Sequence, residues 1–370
     1  MAADFSEPLR STHGEAAGRE WRVSTTTIES PLRLRLDRGA LVDNWNWLDR
    51  QSGAAACGAA IKANAYGLGA IRVMQHLAQA GCRDFFVATW AEAVALGPYA
   101  DGLSISVLHG VRPVDMHPAR AGRARPVLCT PTQVALWKQS GGGACDVMVD
   151  TGMCRLGVAP EDVAAGLLDG LIIENLVSHL ACADEDVPMN AEQLARFSAL
   201  RGRTSAQRMS LANSAGICLG SDYAFDLTRP GLALYGGLPR AEAAAIRQVA
   251  TPEAQILQRR RVRAGDRIGY NAPAVASGDM ELAILNIGYA DGYFRGFSGK
   301  GMARAGGREL PVIGRVSMDL LIVSVDAAPD LAEGDWVSID YDLPAAAALS
   351  GMSQYELLTS LGQRMDRYWG

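Results

Sequence analysis

From residue 57 onward, short apolar runs alternate with longer segments whose apolar positions recur at three- and four-residue intervals. The runs are 57-CGAAIK, 84-DFFVAT, 104-SISVLHG, 125-RPVLCT, 145-CDVMVDTG, 176-LVSHLAC, 208-RMSLANS and 226-DLTRPGLALYG, eight candidate strands. Between them, 70-AIRVMQHLAQAG, 132-TQVALWKQS, 160-PEDVAAGLLDGL and 190-NAEQLARFSAL carry helical spacing. Eightfold alternation of strand and helix predicts an α/β architecture, a (β/α)8 TIM-like barrel. An open doubly wound sheet is the alternative, but no GxGxxG turn follows the first strand, which weakens that reading.

Near residue 246 the pattern changes to β-type runs divided by glycine and acidic turns: 254-AQILQRRRVRAGDRIGY, 281-ELAILNIGYADGY, 310-LPVIGRVSMDLLIVSVD and 335-DWVSID. The expected organisation is a polar tail over 1–27, a barrel over 28–245 and a mainly β domain over 246–370. The final stretch, 353-SQYELLTSLGQRMDRYW, reads as helical, and the Ala-rich 345-AAAAL as a helix start. No repeat of solenoid period is evident.

Composition narrows the class. With 370 residues, 49% hydrophobic and 20% charged, and a net charge of −5, the chain reads as an ordinary globular protein with no basic run for a nucleic acid. Seven cysteines lie scattered without CxxC or metal-ligand spacing. They read as reduced core residues of a cytoplasmic protein that binds no metal. The first twenty-odd residues lack the apolar stretch of a secretory signal, and no uncharged run is long enough to span a bilayer; no membrane partner is expected.

Reactive groups in a (β/α)8 barrel sit at the carboxyl ends of the strands. The polar residues falling there are Lys62, His109, Asp150 with Arg155 beyond it, His179, Asn213 with Ser214, and Arg229. Lys62 ends a fully apolar strand, where a bare ammonium is costly to bury. It can snorkel outward or lose its charge in a Schiff base, and position alone leaves both open. After the last two strands come ANSAG and RPGLALYGG, where barrels of this class often bind phosphate. Ser214 can donate its hydroxyl and Gly231, followed by Leu232, admits close backbone approach to an anion; a helix cap and an ordinary turn are the bland alternatives. Taken together, a lysine after the first strand and an anion cradle after the seventh and eighth are what pyridoxal 5'-phosphate needs at its two ends.

These motifs resemble the alanine racemase family, from about residue 30 to 369. The similarity starts at 61-IKANAYGLG, which implies that Lys62 carries the cofactor and that Tyr66 bonds its phosphate. It continues through VDTGMCRLG (Arg155, near the cofactor oxygen and the substrate carboxylate), HLACAD (His179, supporting the ring-nitrogen partner), ANSAG (Asn213 and Ser214) and RPGLALYGG (Arg229 facing the ring nitrogen). IGYN supplies Tyr270, GYADGY Tyr289, GRVSMD Met318 and Asp319, and YELLTSLG Tyr355.

The resemblance implies racemisation of alanine by two bases on opposite faces of a planar substrate–cofactor adduct: Lys62 takes the α-proton of the D-isomer and Tyr270 that of the L-isomer. Arg229, always charged, disfavours protonation of the ring nitrogen and keeps the carbanionic state short-lived. It also implies a homodimer in which Tyr270, Tyr289, Met318 and Asp319 face the partner's Lys62. One departure stands out: Met148 occupies the place where many members have a lysine that becomes carbamylated and positions the arginine at 155. APAVA after the tyrosine motif is a second departure, at the substrate entrance. Competing readings are a broader racemase acting on serine, a pyridoxal-phosphate amino-acid decarboxylase of the same two-domain plan, and a cofactor carrier; Arg229 and ANSAG favour the racemase over the decarboxylase.

Overall fold

The computed structural model describes residues 29–370; the expected tail over 1–27 lies outside the described residues. Seven parallel strands follow one another in chain order around a curled sheet: Ala59–Ala60, Asp84–Val87, Ser104–Val107, Arg125–Leu128, Ala144–Met148, Ile172–Val177 and Arg208–Ser210. Leu227–Thr228 is the eighth. It pairs in parallel with Ala56–Cys57, just ahead of the first strand, and meets the seventh through Asp226 N–H to Met209 O (3.0 Å) and Arg229 N–H to Ala212 O (2.9 Å). The barrel therefore closes, and each of the eight apolar runs contributes a strand. The first run is divided at Gly58, where a Cβ would lie 2.8 Å from Asp84 O and 2.9 Å from the Phe86 ring. Only glycine lets the strands approach so closely there.

The helices follow the predicted segments with two corrections. Ala70–Ala80, Pro131–Gln139 and Pro188–Ser198 stand where helical spacing places them, but the segment starting at 160 forms only Pro160–Ala164 before left-handed glycines at 166 and 170 turn the chain. A fifteen-residue helix, Arg38–Ser52, was not anticipated; it buries Leu41, Trp45 and Leu48 and is capped by Asp37.

Contacts between non-neighbouring strands run through the barrel interior. Arg208 grips Asp84 with both nitrogens (3.0 and 2.6 Å), and the fully buried Asp146 accepts from Ser106 Oγ (2.5 Å) and from the Asn175 backbone and side chain. Burial tends to raise the Asp146 carboxyl, an effect that Arg125 opposes. Paired charges thus fill the amino-terminal half, leaving the carboxyl end open for a cavity.

The second sheet is mainly antiparallel and runs in the order 308–311, 302–305, 336–339, 250–262, 32–36 and 366–369, with 280–285 also attached to the long strand Ala250–Val262 and 321–324 attached to 280–285. Leu32–Leu36, near the start of the 28–245 segment, thus lies in this sheet, antiparallel to 250–254 and parallel to Asp366–Trp369. Arg33 Nε, Arg35 Nε and the Tyr368 hydroxyl all donate to Glu253 (2.8, 2.9 and 2.8 Å), tying the three strands together. The expected C-terminal helix is confined to Gln354–Thr359; Gly362 packs against Ala290 and the chain then becomes the strand Asp366–Trp369. Cys57, Cys82, Cys129 and Cys145 are buried, whereas Cys154 is exposed, which corrects the expectation that all the cysteines are core residues. No helix among the described residues is long and apolar enough to cross a membrane.

Candidate active site

A cavity of about 470 Å³ opens at the carboxyl ends of the barrel strands. It brings together Lys62, Tyr66, Arg155, His179, Asn213, Ser214, Arg229, Gly231, Leu232 and Tyr355 of the predicted residues. Phe86, Leu108, Met153, Leu156 and Ser178 also line it and were not anticipated. Their signal was their place at or just beyond strand ends.

Lys62 leaves the first strand into an unusual turn. Ala63, Asn64, Ala65 and Tyr66 all have φ between 53° and 55°, a left-handed helical turn without glycine. Each such residue costs about 1–2 kcal/mol, so the surroundings must hold it. Glu92 accepts from Ala63 N–H (2.6 Å), Asn64 Oδ1 accepts from Ala70 N–H (2.9 Å), and Arg367 Nε donates to Gly67 O (2.7 Å). Tyr66 packs against Tyr235 and Tyr355, ring centroids 4.8 and 6.2 Å away. Burial, then the charges of Arg155 and Arg229, hold the Lys62 amine below its usual range, while Glu92 acts in the opposite sense. An amine so placed loses its proton readily and becomes nucleophilic.

Beside Lys62, where the eighth strand ends against the first through Ala60 N–H to Pro230 O (2.8 Å), the chain forms a cradle. Ser214 Oγ accepts from the N–H groups of Gly231 (2.9 Å) and Ala233 (3.2 Å). With its lone pairs engaged, its own hydrogen is free to point at an anion. A Cβ on Gly231 would stand 2.3 Å from the Tyr66 hydroxyl, so a side chain there would fill the cradle. Asn213 caps the short helix Ser214–Cys218 by accepting from Gly216 N–H (2.8 Å).

Arg229 is buried and fixed by Ser210 Oγ, Ser178 O (2.5 Å) and Leu211 O (3.4 Å). Burial lowers its pKa to about 10, with Asp146 opposing, so it stays charged at neutral pH. His179 is lowered to about 3 by burial, then by Arg229, Arg155 and Lys62, and is therefore neutral. On the next wall, Asp150 accepts from the N–H groups of Gly152 and Met153 (2.8 Å each) and Arg155 (3.1 Å), which shapes the loop and leaves the exposed Arg155 side chain facing the cavity. Met148, which lines the same cavity, belongs to an apolar cluster with Val127, Cys129 and Val177.

Tyr270, Tyr289, Met318 and Asp319 do not line this chain's cavity. They stand on the second domain. Tyr270 tops the turn between Arg267–Ile268 and Ala274–Val275 and is 69% exposed. The chain at 268–269 packs on 314–315, and Tyr289 N–H donates to Ser317 O (3.0 Å), so the four residues belong to one surface region. Gly288 permits this: a Cβ would meet Met318 O at 2.3 Å. Arg364 bridges the buried Asp291 (2.8 and 2.9 Å) to Asp319 (2.7 Å).

Family models described as alanine racemase N-terminal domain and alanine racemase C-terminal domain match residues 36–239 and 249–369. An alanine racemase of Acidiphilium cryptum is 40% identical over 90% of this chain and 97% of its own length. Another, of a Jannaschia species, is 43% identical over 90% and 97%. The solved alanine racemase of Bartonella henselae, described with covalently bound pyridoxal phosphate, superimposes with a TM-score of 0.83 at 34% identity, covering 93% of this chain and all of that one.

Proposed function

Since the chain belongs to the alanine racemase family, we propose that it interconverts L- and D-alanine with pyridoxal 5'-phosphate by a two-base mechanism. The observation that carries this reading is one cavity in which Lys62, its ammonium disfavoured by burial, stands beside an anion cradle of Ser214, Gly231 and Tyr66. That donor set fits the cofactor: Lys62 to hold its aldehyde carbon, the cradle and the Tyr66 hydroxyl to hold its phosphate, Arg229 to meet its ring nitrogen. When bound, pyridoxal phosphate acidifies the substrate Cα–H by spreading the charge left behind.

Arg229 carries only donors, so it would meet the ring nitrogen as a donor and disfavour a proton there. That favours prompt return of the proton to Cα. Arg155 presents a guanidinium suited to a substrate carboxylate. Lys62 would be the base on one face of Cα, and Tyr270 would serve the other.

Tyr270 reaches a cavity only from a second copy. Tyr270, Val275 and Met318 are 69%, 60% and 53% exposed on the second domain, and Leu156 and Tyr355 are exposed around the cavity. Mutual covering of such faces supports a homodimer with active sites shared between protomers.

Purified protein in heavy water with L-alanine tests the reading, following chirality, α-deuterium and visible absorption. Racemic, α-deuterated alanine is expected; carbon dioxide release or cofactor absorption without turnover would overturn it.

A further inference from the structure

Glu92 sits at the third position of the helix Trp90–Ala95, where a glutamate ordinarily completes a capping box by accepting from the N-cap N–H. It does so here, from Thr89 N–H at 3.2 Å. Its shorter bonds go elsewhere. Oε2 accepts from Ala88 N–H (2.6 Å) and Oε1 from Ala63 N–H (2.6 Å), so one carboxylate joins the loop after the second barrel strand to the loop after the first. Ala63 is the first residue of the left-handed turn and the neighbour of Lys62, and its N–H has no place in the ladder of the strand it has just left. Helix capping alone does not require that bond.

We propose that Glu92 is a positioning residue for the reaction: by clamping Ala63 to the loop at 88–89, it sets the direction in which Lys62 presents its amine. The proposal rests on the reading of Lys62 as the cofactor lysine. The same carboxylate, one residue beyond Lys62 through its bond to Ala63, is a negative charge that favours the ammonium against Arg155 and Arg229, with neutral His179 and the protonated phenol of Tyr66 on the cavity wall.

Two variants separate clamp from charge. Glu92→Gln keeps the length but can accept through one atom only and loses the charge; Glu92→Asp keeps the charge but is too short to bridge both loops. Full-length protein stripped of cofactor is mixed with pyridoxal phosphate across a pH range, imine formation is timed, and borohydride reduction with peptide mass analysis locates the label. Both variants are expected to capture the cofactor about tenfold more slowly or worse at the pH-independent limit, since a bond to a charged acceptor is lost. Only Glu92→Gln should move the pH midpoint down, because an ammonium without its counter-charge releases its proton sooner. In the wild-type holoenzyme, hydrogen exchange should find Ala63 N–H protected.

Wild-type capture rates in both variants, a slow Gln variant beside a normal Asp variant, or an Ala63 N–H exchanging like an exposed amide would each overturn the clamp. The last needs no variant to fold. A wild-type label on a residue other than Lys62 would instead overturn the assignment of the lysine itself.

Discussion

Replacing Gly231 by alanine adds one methyl group at the narrowest part of the cradle. It would stand 2.3 Å from the Tyr66 hydroxyl, 3.0 Å from Tyr66 Cζ and 3.4 Å from Ala60 Cβ. Gly231 has φ −133° and ψ −81°, outside the broad β and right-handed α regions, so the methyl group meets an unfavourable backbone as well as a lack of space. An ordinary contact of 3.4 Å requires about 1.1 Å of separation, and Tyr66 cannot supply it by rotating, wedged as it is between Tyr235 and Tyr355. Forcing a methylene into such packing costs about 1–3 kcal/mol. If Tyr66 and the 231–233 backbone form the phosphate cradle, that cost falls on the bound state and weakens pyridoxal phosphate about 5- to 150-fold. Titrating stripped Gly231→Ala protein with the cofactor, monitored by visible absorption, measures the loss; thermal unfolding without cofactor shows how much the fold itself absorbs. Unchanged affinity would refute the cradle assignment.

Three further outcomes are expected. Tyr270→Phe should abolish inversion yet leave α-hydrogen exchange of D-alanine, because Lys62 still serves that face; chirality and deuterium followed together decide it, and equal loss of both processes would remove Tyr270 from its role. Enantiomers are equally stable, so kcat/KM must fall alike in the two directions and cannot itself show the asymmetry. His179, held near 3 in the fold against 6.5 unfolded, takes up its proton on unfolding between those values: its contribution is complete above pH 6.5 and is lost as pH falls toward 3. Denaturant midpoints at pH 7 and pH 4 should therefore drop more for the wild type than for His179→Gln. Met318→Glu, placing a charge on the exposed apolar face, should raise the fraction of monomer in sedimentation and lower activity in proportion; a dimer of full activity would remove Met318 from the interface.

The barrel was legible because each strand's apolar run is local, and so was the cavity, since strand-end positions gather at one end of any such barrel. Other features were not. The LRLRL run at 32–36 alternates plainly, but nothing nearby tells which sheet it joins; its partners are Ala250–Ala254 and Asp366–Trp369. The helix at 38–52 carries a readable spacing in Leu41, Trp45 and Leu48, yet it precedes the first barrel strand, outside the alternation that guided the reading. At 353–369 an apolar spacing continues past Gln354–Thr359, and close packing of Gly362 ends the helix. The left-handed turn at 63–66 runs against the preference of Ala63, Ala65 and Tyr66, and it is held by the acceptors on Glu92 and Asn64, by Arg367 and by the packing of Tyr66. Phe86 and Leu108 read as core because they are apolar; the open barrel end makes them cavity wall.

The strand 32–36 has a consequence for how the chain is made. It emerges before the barrel, but Glu253, to which Arg33 and Arg35 bind, follows 220 residues after Arg33, and Tyr368 later still. Until then its hydrogen-bonding edges have no partner, so the barrel must collapse with a loose strand trailing from its first helix. A ribosome stalled within the second domain would release a barrel bearing an exposed, unpaired edge, the kind of species that chaperones and proteases recognise.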